Sequence, residues 1–249
     1  LRNLTLVALA ACAVGANAGG VLWDQNDLVT HAGAGFGGAD ASAIDTASGS
    51  NLFGWGAQGG TIQNTMADDF MVGGGGWNIT RITMYSYQTG STTTPTHTGM
   101  FLKIWNSNPL GQTTAFGGVY GDLTTNEMDS ATFTNIYRVQ DTTLTNNQRP
   151  IMALVADVNI NLAPGAHWIG ANFTGTLASG PWTPPISPQN ATFGVNAMQA
   201  LGAAGTFATT LTPSQGDMAF LIEGTVVPEP GTFVAIGLGL AGLALARRR

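Results

Sequence analysis

The chain has 249 residues, a formal net charge of −6, only 9% charged side chains and 35 glycines. Low charge beside 44% hydrophobic content excludes an acidic disordered chain, which needs the opposite balance. Between positions 19 and 227, Arg81, Lys103, Arg138 and Arg149 stand against thirteen acidic residues (4 − 13 = −9), so the body lacks the basic cluster that a nucleic-acid backbone requires.

Leu1 to Ala18 reads as a secretory signal peptide: Arg2 is the positive n-region, Leu4 to Val14 the apolar h-region, and Ala16-Asn17-Ala18 an A-x-A cleavage site that leaves Gly19 first. Its expected partners are the Sec translocon and signal peptidase. The one cysteine, Cys12, lies in this leader, so the body can form no disulfide and must rely on its core. Leu9-Ala10-Ala11-Cys12 also has the look of a lipobox, but that reading would shorten the h-region and duplicate an anchor at the other end.

Residues 19–60 are glycine-rich, with a first strand at Val21 to Trp23 and an irregular loop beyond it. From Ala67 the pattern becomes that of strands. Asp69 to Val72 is one, ended by Gly73 to Gly76. Trp77 to Gln88 is another, with Ile79, Tyr85 and Tyr87 opposite Ile82 and Met84, as a bulge or two-sided burial would require. Gly99 to Trp105 alternates cleanly, and Ala131 to Val139 puts Phe133, Tyr137 and Val139 on one face. The clearest strand sets Met152, Leu154, Ala156, Val158, Ile160 and Leu162 against Asp157, Asn159 and Asn161. Pro164-Gly165 then turns the chain toward His167 to Phe173 as a hairpin partner. Asn196 to Ala204 is the one candidate for a short helix. Asp217 to Val227 closes the body, with Met218, Phe220, Ile222 and Val226 inward and Asp217 and Glu223 outward. Many short strands with Gly, Pro and Asn turns predict an all-β fold: a single two-sheet, jelly-roll-like sandwich over residues 19–226.

Functional chemistry in the body is sparse. His31, His97 and His167 stand singly, without metal-ligand spacing or a G-x-S-x-G elbow. Asp68 and Asp69 are adjacent on a strand and so point to opposite faces, unlike a glycosidase pair. Calcium would be held by Asp24, Asn26 and Asp27, or by Asp122, Asn126, Glu127 and Asp129, though turn formation accounts for the same residues. Trp55 and Trp182, in Gly- and Pro-rich loops, are candidate platforms for stacking sugar rings, whereas Trp77, Trp105 and Trp168 belong with the core.

The last segment, Val227 to Arg249, reads VPEPGTFVAIGLGLAGLALARRR. The apolar run Thr232 to Ala246 covers roughly 22 Å as a helix, short against about 30 Å of hydrocarbon. Arg247, Arg248 and Arg249 would stay cytoplasmic and leave Pro228, Glu229 and Pro230 on the far side. This tail resembles the PEP-CTERM sorting signal of Gram-negative exopolysaccharide producers, and TMADDFMVGGGGWNITRITMYSYQTG with FLKIWNSNP more loosely resembles the bodies that carry it. The resemblance implies processing by an exosortase, a membrane-embedded protease, at or near Pro228-Glu229-Pro230. It also implies transient residence in the inner membrane, then transfer to the outer surface or the exopolysaccharide matrix. The expected role is structural or adhesive and non-enzymatic, with no cofactor beyond calcium. Alternatives are a polysaccharide-binding module, a secreted hydrolase and an ice-binding surface, the last weakened by the lack of a regular Thr array.

Overall fold

A computed structural model describes residues 19–47, 49–188, 191–209 and 216–229; the leader, Pro230, the apolar run 232–246 and Arg247–Arg249 lie outside the described residues. The strands are β1 (Gly20–Gln25), β2 (Asp40–Ile44), β3 (Trp55–Gly56), β4 (Thr65–Val72), β5 (Trp77–Ser86), β6 (His97–Trp105) and β7 (Tyr120–Gly121). They continue with β8 (Ser130–Gln140), β9 (Pro150–Leu162), β10 (Gly165–Gly175), β11 (Trp182–Thr183), β12 (Met198–Ala200), β13 (Ala208–Thr209) and β14 (Phe220–Val226). One sheet has the order β1-β14-β5-β9-β8-β2, a second β13-β12-β4-β10-β6-β7, and β11 with β3 forms a third.

The single two-sheet, jelly-roll-like sandwich expected from the sequence does not form; three sheets do. The cause lies in the glycine-rich segment read as loop. It contributes β2, which joins β8 in parallel register from Asp40↔Ile136 to Ile44↔Gln140. It also contributes β3, which pairs with β11 through Trp55 and Thr183.

Alternation explains the shared core. Ile82, Met84, Leu154, Ala156, Ile160 and Ile222 from the first sheet meet Phe70, Leu102, Ile104, Ile169 and Phe173 from the second. Each of these side chains larger than Ala156, removed from water, contributes about 1.5–3 kcal/mol. β5 carries the bulge that its mixed faces require. Its register against β9 slips between Ile79 and Arg81, which returns Ile79 to the face of Ile82 and Met84 and turns Tyr85 toward a second cluster with Tyr87 and Ile151.

Three local expectations are corrected. β10 is not the hairpin partner of β9; it crosses to the second sheet and pairs with β4 and β6, because both neighbours of β9 are already β5 and β8. Residues 198–200 form strand β12 on the free side of β4, where unpaired backbone groups outweigh the helix preference of an Ala-rich segment. Asp217 is buried at 1% exposure and Val226 is 54% exposed, since the alternation applies only from Phe220 and the strand outruns the core at its end.

β1 and β14 are antiparallel, with Gly20 opposite Gly224, so Gly19 and Val227 leave the body at the same end. The Val227 N–H donates to the Gly76 carbonyl at 2.8 Å. The departing backbone passes so close to Gly75 that a Cβ there would lie 2.5 Å from the Val227 oxygen.

Candidate functional site

Two surface depressions and one buried carboxyl cluster hold the body's notable chemistry. The first depression, about 300 Å³, is lined by Asn51, Phe53, Thr89, Arg149, Ser179 and Trp182, with Tyr87 at its base. It lies where β5 ends and β9 begins, and its walls are tied by backbone bonds. Tyr87 and Trp182 exchange N–H···O bonds of 3.0 and 2.9 Å, and the Thr89 N–H donates to the Ser179 carbonyl at 3.1 Å. Gly180 adopts φ +100°, and a Cβ there would sit 2.7 Å from the Trp182 ring, so only glycine lets the indole lie in place. The indole N–H reaches the Ser179 hydroxyl at 3.4 Å.

Behind this wall Arg138 is buried at 3% exposure. Its guanidinium donates to the carbonyls of Phe53 (2.8 Å) and Leu52 (3.0 Å) and to the Ser42 hydroxyl (3.0 Å). Burial lowers its pKa to about 10, which leaves it charged at neutral pH. Arg149 stacks on Phe53 with its guanidinium carbon 3.8 Å from the ring centre. Burial pushes the Tyr87 phenol up, against the pull of both arginines. Among the described residues the one ion pair is Arg81–Asp157, at 2.7 Å, so neither Arg138 nor Arg149 has a carboxylate partner there.

The second depression, about 610 Å³, is lined by Tyr120, Asp122, Asn126, Glu127, Asp129 and Asp157. It gathers the second proposed calcium set, and each of those groups already serves the loop. Asp122 accepts from the Thr124 and Thr125 amides at 2.7 Å, which hold its carboxyl down at about 2. Asn126 accepts from the amides of Met100 and Met128, Glu127 from the Tyr120 hydroxyl, and Asp129 from the Asp157 amide. The other proposed set is turn chemistry too: the Asp24 carboxylate caps the Asn26 amide at 3.2 Å, and the Asn26 amide donates to the Tyr85 hydroxyl at 3.3 Å. Among the described residues no group of three His, Cys, Asp or Glu side chains is placed to share a metal ion.

The buried cluster joins Asp68, Asp69 and Asp217. Asp68 accepts from Gln25 Nε2 and the Met218 amide, both at 2.8 Å, and Asp217 accepts from the Phe193 amide. Asp69 accepts from the Val195 amide at 2.9 Å. Burial and then the neighbouring Asp217 charge drive the Asp68 pKa well up, and burial raises Asp217 to about 6. Sequence reading missed this cluster because Asp217 is 149 positions from Asp68 and joins it only through the closure of β14 over β1 and β5.

The remaining sequence candidates are placed as follows. Trp55 is buried at 5% exposure within the third sheet, so its ring cannot serve as a sugar platform; Trp182, its neighbour across that sheet, is half-buried and faces the first depression. Trp77 and Trp105 are in the core and Trp168 is half-buried. His97 is buried, and its Nε2 lies 3.0 Å from the Ser86 hydroxyl, which itself donates to the Trp182 carbonyl. The pair therefore braces β11, with no carboxylate hydrogen-bonded to the other ring nitrogen. His167 Nε2 lies 2.9 Å from the Ala163 carbonyl, and His31 is exposed in a loop. Among the described residues no helix is long and apolar enough to cross a membrane.

Neither the curated proteins nor the solved structures offer a match to this chain. Residues 226–249 match the PEP-CTERM protein-sorting motif, which begins at the last residue of β14 and contains Pro228, Glu229 and Pro230. That family is a sorting signal rather than a catalytic unit. The chain therefore carries a PEP-CTERM protein-sorting motif at its C-terminal end, a motif that supports export and sorting to the cell surface by an exosortase.

Proposed function

We propose that the body, residues 19–226, is a non-enzymatic surface or matrix protein with a structural or adhesive role after release from its membrane tether. The leader would take the chain through the Sec translocon and be cut by signal peptidase after Ala16-Asn17-Ala18. Thr232 to Ala246 would then hold the chain in the inner membrane, with Arg247, Arg248 and Arg249 on the cytoplasmic side, until exosortase acts at Pro228-Glu229-Pro230. The observation that carries this reading is the common exit of Gly19 and Val227 beside Gly20↔Gly224. A body whose two tethers leave together can fold while both still lie in one membrane.

Fractionation tests the sorting steps: deletion of residues 228–249 should abolish surface delivery in an exosortase-positive host, and the full chain should remain in the inner membrane of an exosortase-negative one. Unchanged delivery without the tail would sink the reading. Polysaccharide binding is the better supported of the alternative roles, because Trp182 faces a depression that also holds Arg149. A hydrolase is less well supported: Asp68 and Asp217, the paired carboxyls, are each only 1% exposed.

A further inference from the structure

We propose that the pocket between Phe53, Arg149 and Trp182 binds an acidic sugar, a uronate unit of a polysaccharide chain, with Arg149 taking the carboxylate and Trp182 one face of the ring. This deepens the adhesive role above and rests on it for its biological setting, but the chemistry is argued from the pocket itself.

Charge is the first argument. Of the body's four basic side chains, Arg149 lines the depression and Arg138 is buried behind its wall, in a body of net charge −9 (4 − 13, residues 19–227). Arg138 is satisfied by neutral carbonyls and a hydroxyl, so its hydrogen bonds are complete while its charge is not balanced. Arg149 has no carboxylate partner among the described residues. An anion entering the pocket would meet the uncompensated Arg149 guanidinium, with the Arg138 charge behind the wall adding to the field, beside a low-dielectric surface where Coulomb attraction is several-fold stronger than in water.

Shape selects the kind of anion. Contact with the Phe53 ring, 3.8 Å from the guanidinium carbon, restrains Arg149, a side chain whose planar fork can grip a carboxylate through two parallel N–H bonds. Trp182 is held by Ser179, Gly180 and the backbone of Tyr87, which leaves an immobilised half-buried ring suited to the C–H face of a pyranose. Asn51, Thr89 and Ser179 add neutral polar groups to the lining, and no acidic side chain lines the pocket. At about 300 Å³ the cavity stands at the small end of ligand sites, fit for a short stretch of saccharide.

Position agrees with display. The tail leaves beside Trp77, which pairs with Val226, whereas Tyr87 follows the other end of β5. Ten residues of strand separate the two by roughly 30 Å, so the pocket faces away from the tether.

The test titrates the full chain in detergent with oligogalacturonate, its methyl-esterified counterpart and inorganic sulfate, reading Trp fluorescence and calorimetry. Oligogalacturonate should bind at least tenfold more tightly than the ester, and Arg149→Gln and Trp182→Ala should each weaken it about tenfold or more. Arg149→Lys, which keeps the charge and loses the fork, should fall between parent and Arg149→Gln, with the unfolding midpoint of every variant checked alongside. Equal binding of acid and ester, binding by Arg149→Gln within twofold of the parent, sulfate as good a ligand as the oligosaccharide, or no binding at all would each overturn the assignment. Fractionation reads sorting independently, so a protein that reaches the surface yet ignores oligogalacturonate refutes the pocket alone.

Discussion

The two surface depressions are built from similar loops and differ in what their charges do. In the cleft around Asp122 and Glu127, the carboxylates accept from the loop's own amides and hydroxyls. At the pocket beside Trp182, Arg149 rests on an aromatic ring and Arg138 behind the wall is held by carbonyls, which position the charges without cancelling them. Concentrated charge is therefore not the same as available charge: the carboxylates are taken up by hydrogen bonds within the body, and the Arg149 cation has no carboxylate against it.

Breaking the contrast from the cationic side should have the largest effect. Arg138→Met leaves the Phe53 and Leu52 carbonyls and the Ser42 hydroxyl without their donor, at a cost of about 3 kcal/mol or more in urea unfolding. It should also remove oligogalacturonate binding, because the 51–54 wall loses its support.

Next comes the buried carboxyl cluster, which belongs to neither depression. A carboxyl whose pKa is raised on folding holds its proton more tightly when folded. Its stabilisation is thus full at low pH and is lost as pH rises from the ordinary carboxylate range through about 6. Asp217→Asn should therefore gain on the parent as pH rises from 4 to 7.5, by on the order of 2 kcal/mol at the upper end and little at the lower. The difference between the two proteins is the informative quantity. Burial lowers His97 to about 4, which adds an opposite slope, with stability lost as pH falls below the ordinary histidine range.

Smaller still, Asp122→Ala removes an acceptor for two amides and should cost up to about 1 kcal/mol while leaving oligogalacturonate affinity unchanged. Last, Arg81→Gln breaks an ion pair whose side chains are 47% and 58% exposed, and should not move the unfolding midpoint measurably. An effect of Asp122→Ala on ligand binding would place the site in the acidic cleft instead.

Legibility from sequence followed the range of the interaction. β9 could be read from the alternation Met152, Leu154, Ala156, and the bulge of β5 from Ile79 and Ile82 falling out of step, since both are local patterns. The PEP-CTERM tail was legible for the same reason: its parts are contiguous. Pairing was not, because nothing near Pro164 states that β9 already has two neighbours. The Trp182 pocket was half visible. The ring was marked by its proline-rich loop, but its companions come from Arg149 ahead of β9, from Tyr87 and Thr89 just past β5, and from the distant 51–54 loop. Trp55 has equally open sequence surroundings and is buried, because β3 and β11 pair across more than a hundred residues.

The close passage of Val227 past Gly75 and Gly76 fixes the length of the leash. From Val226 to Thr232 an extended chain reaches at most about 20 Å, and its first residue is already bonded back to the body. With the apolar run seated in the bilayer, the body would ride almost against the membrane, too short of slack to search its surroundings. Cutting the tail would then do more than free the protein. It would turn a fixed pocket that meets only what diffuses to it into a mobile one able to spread through a matrix.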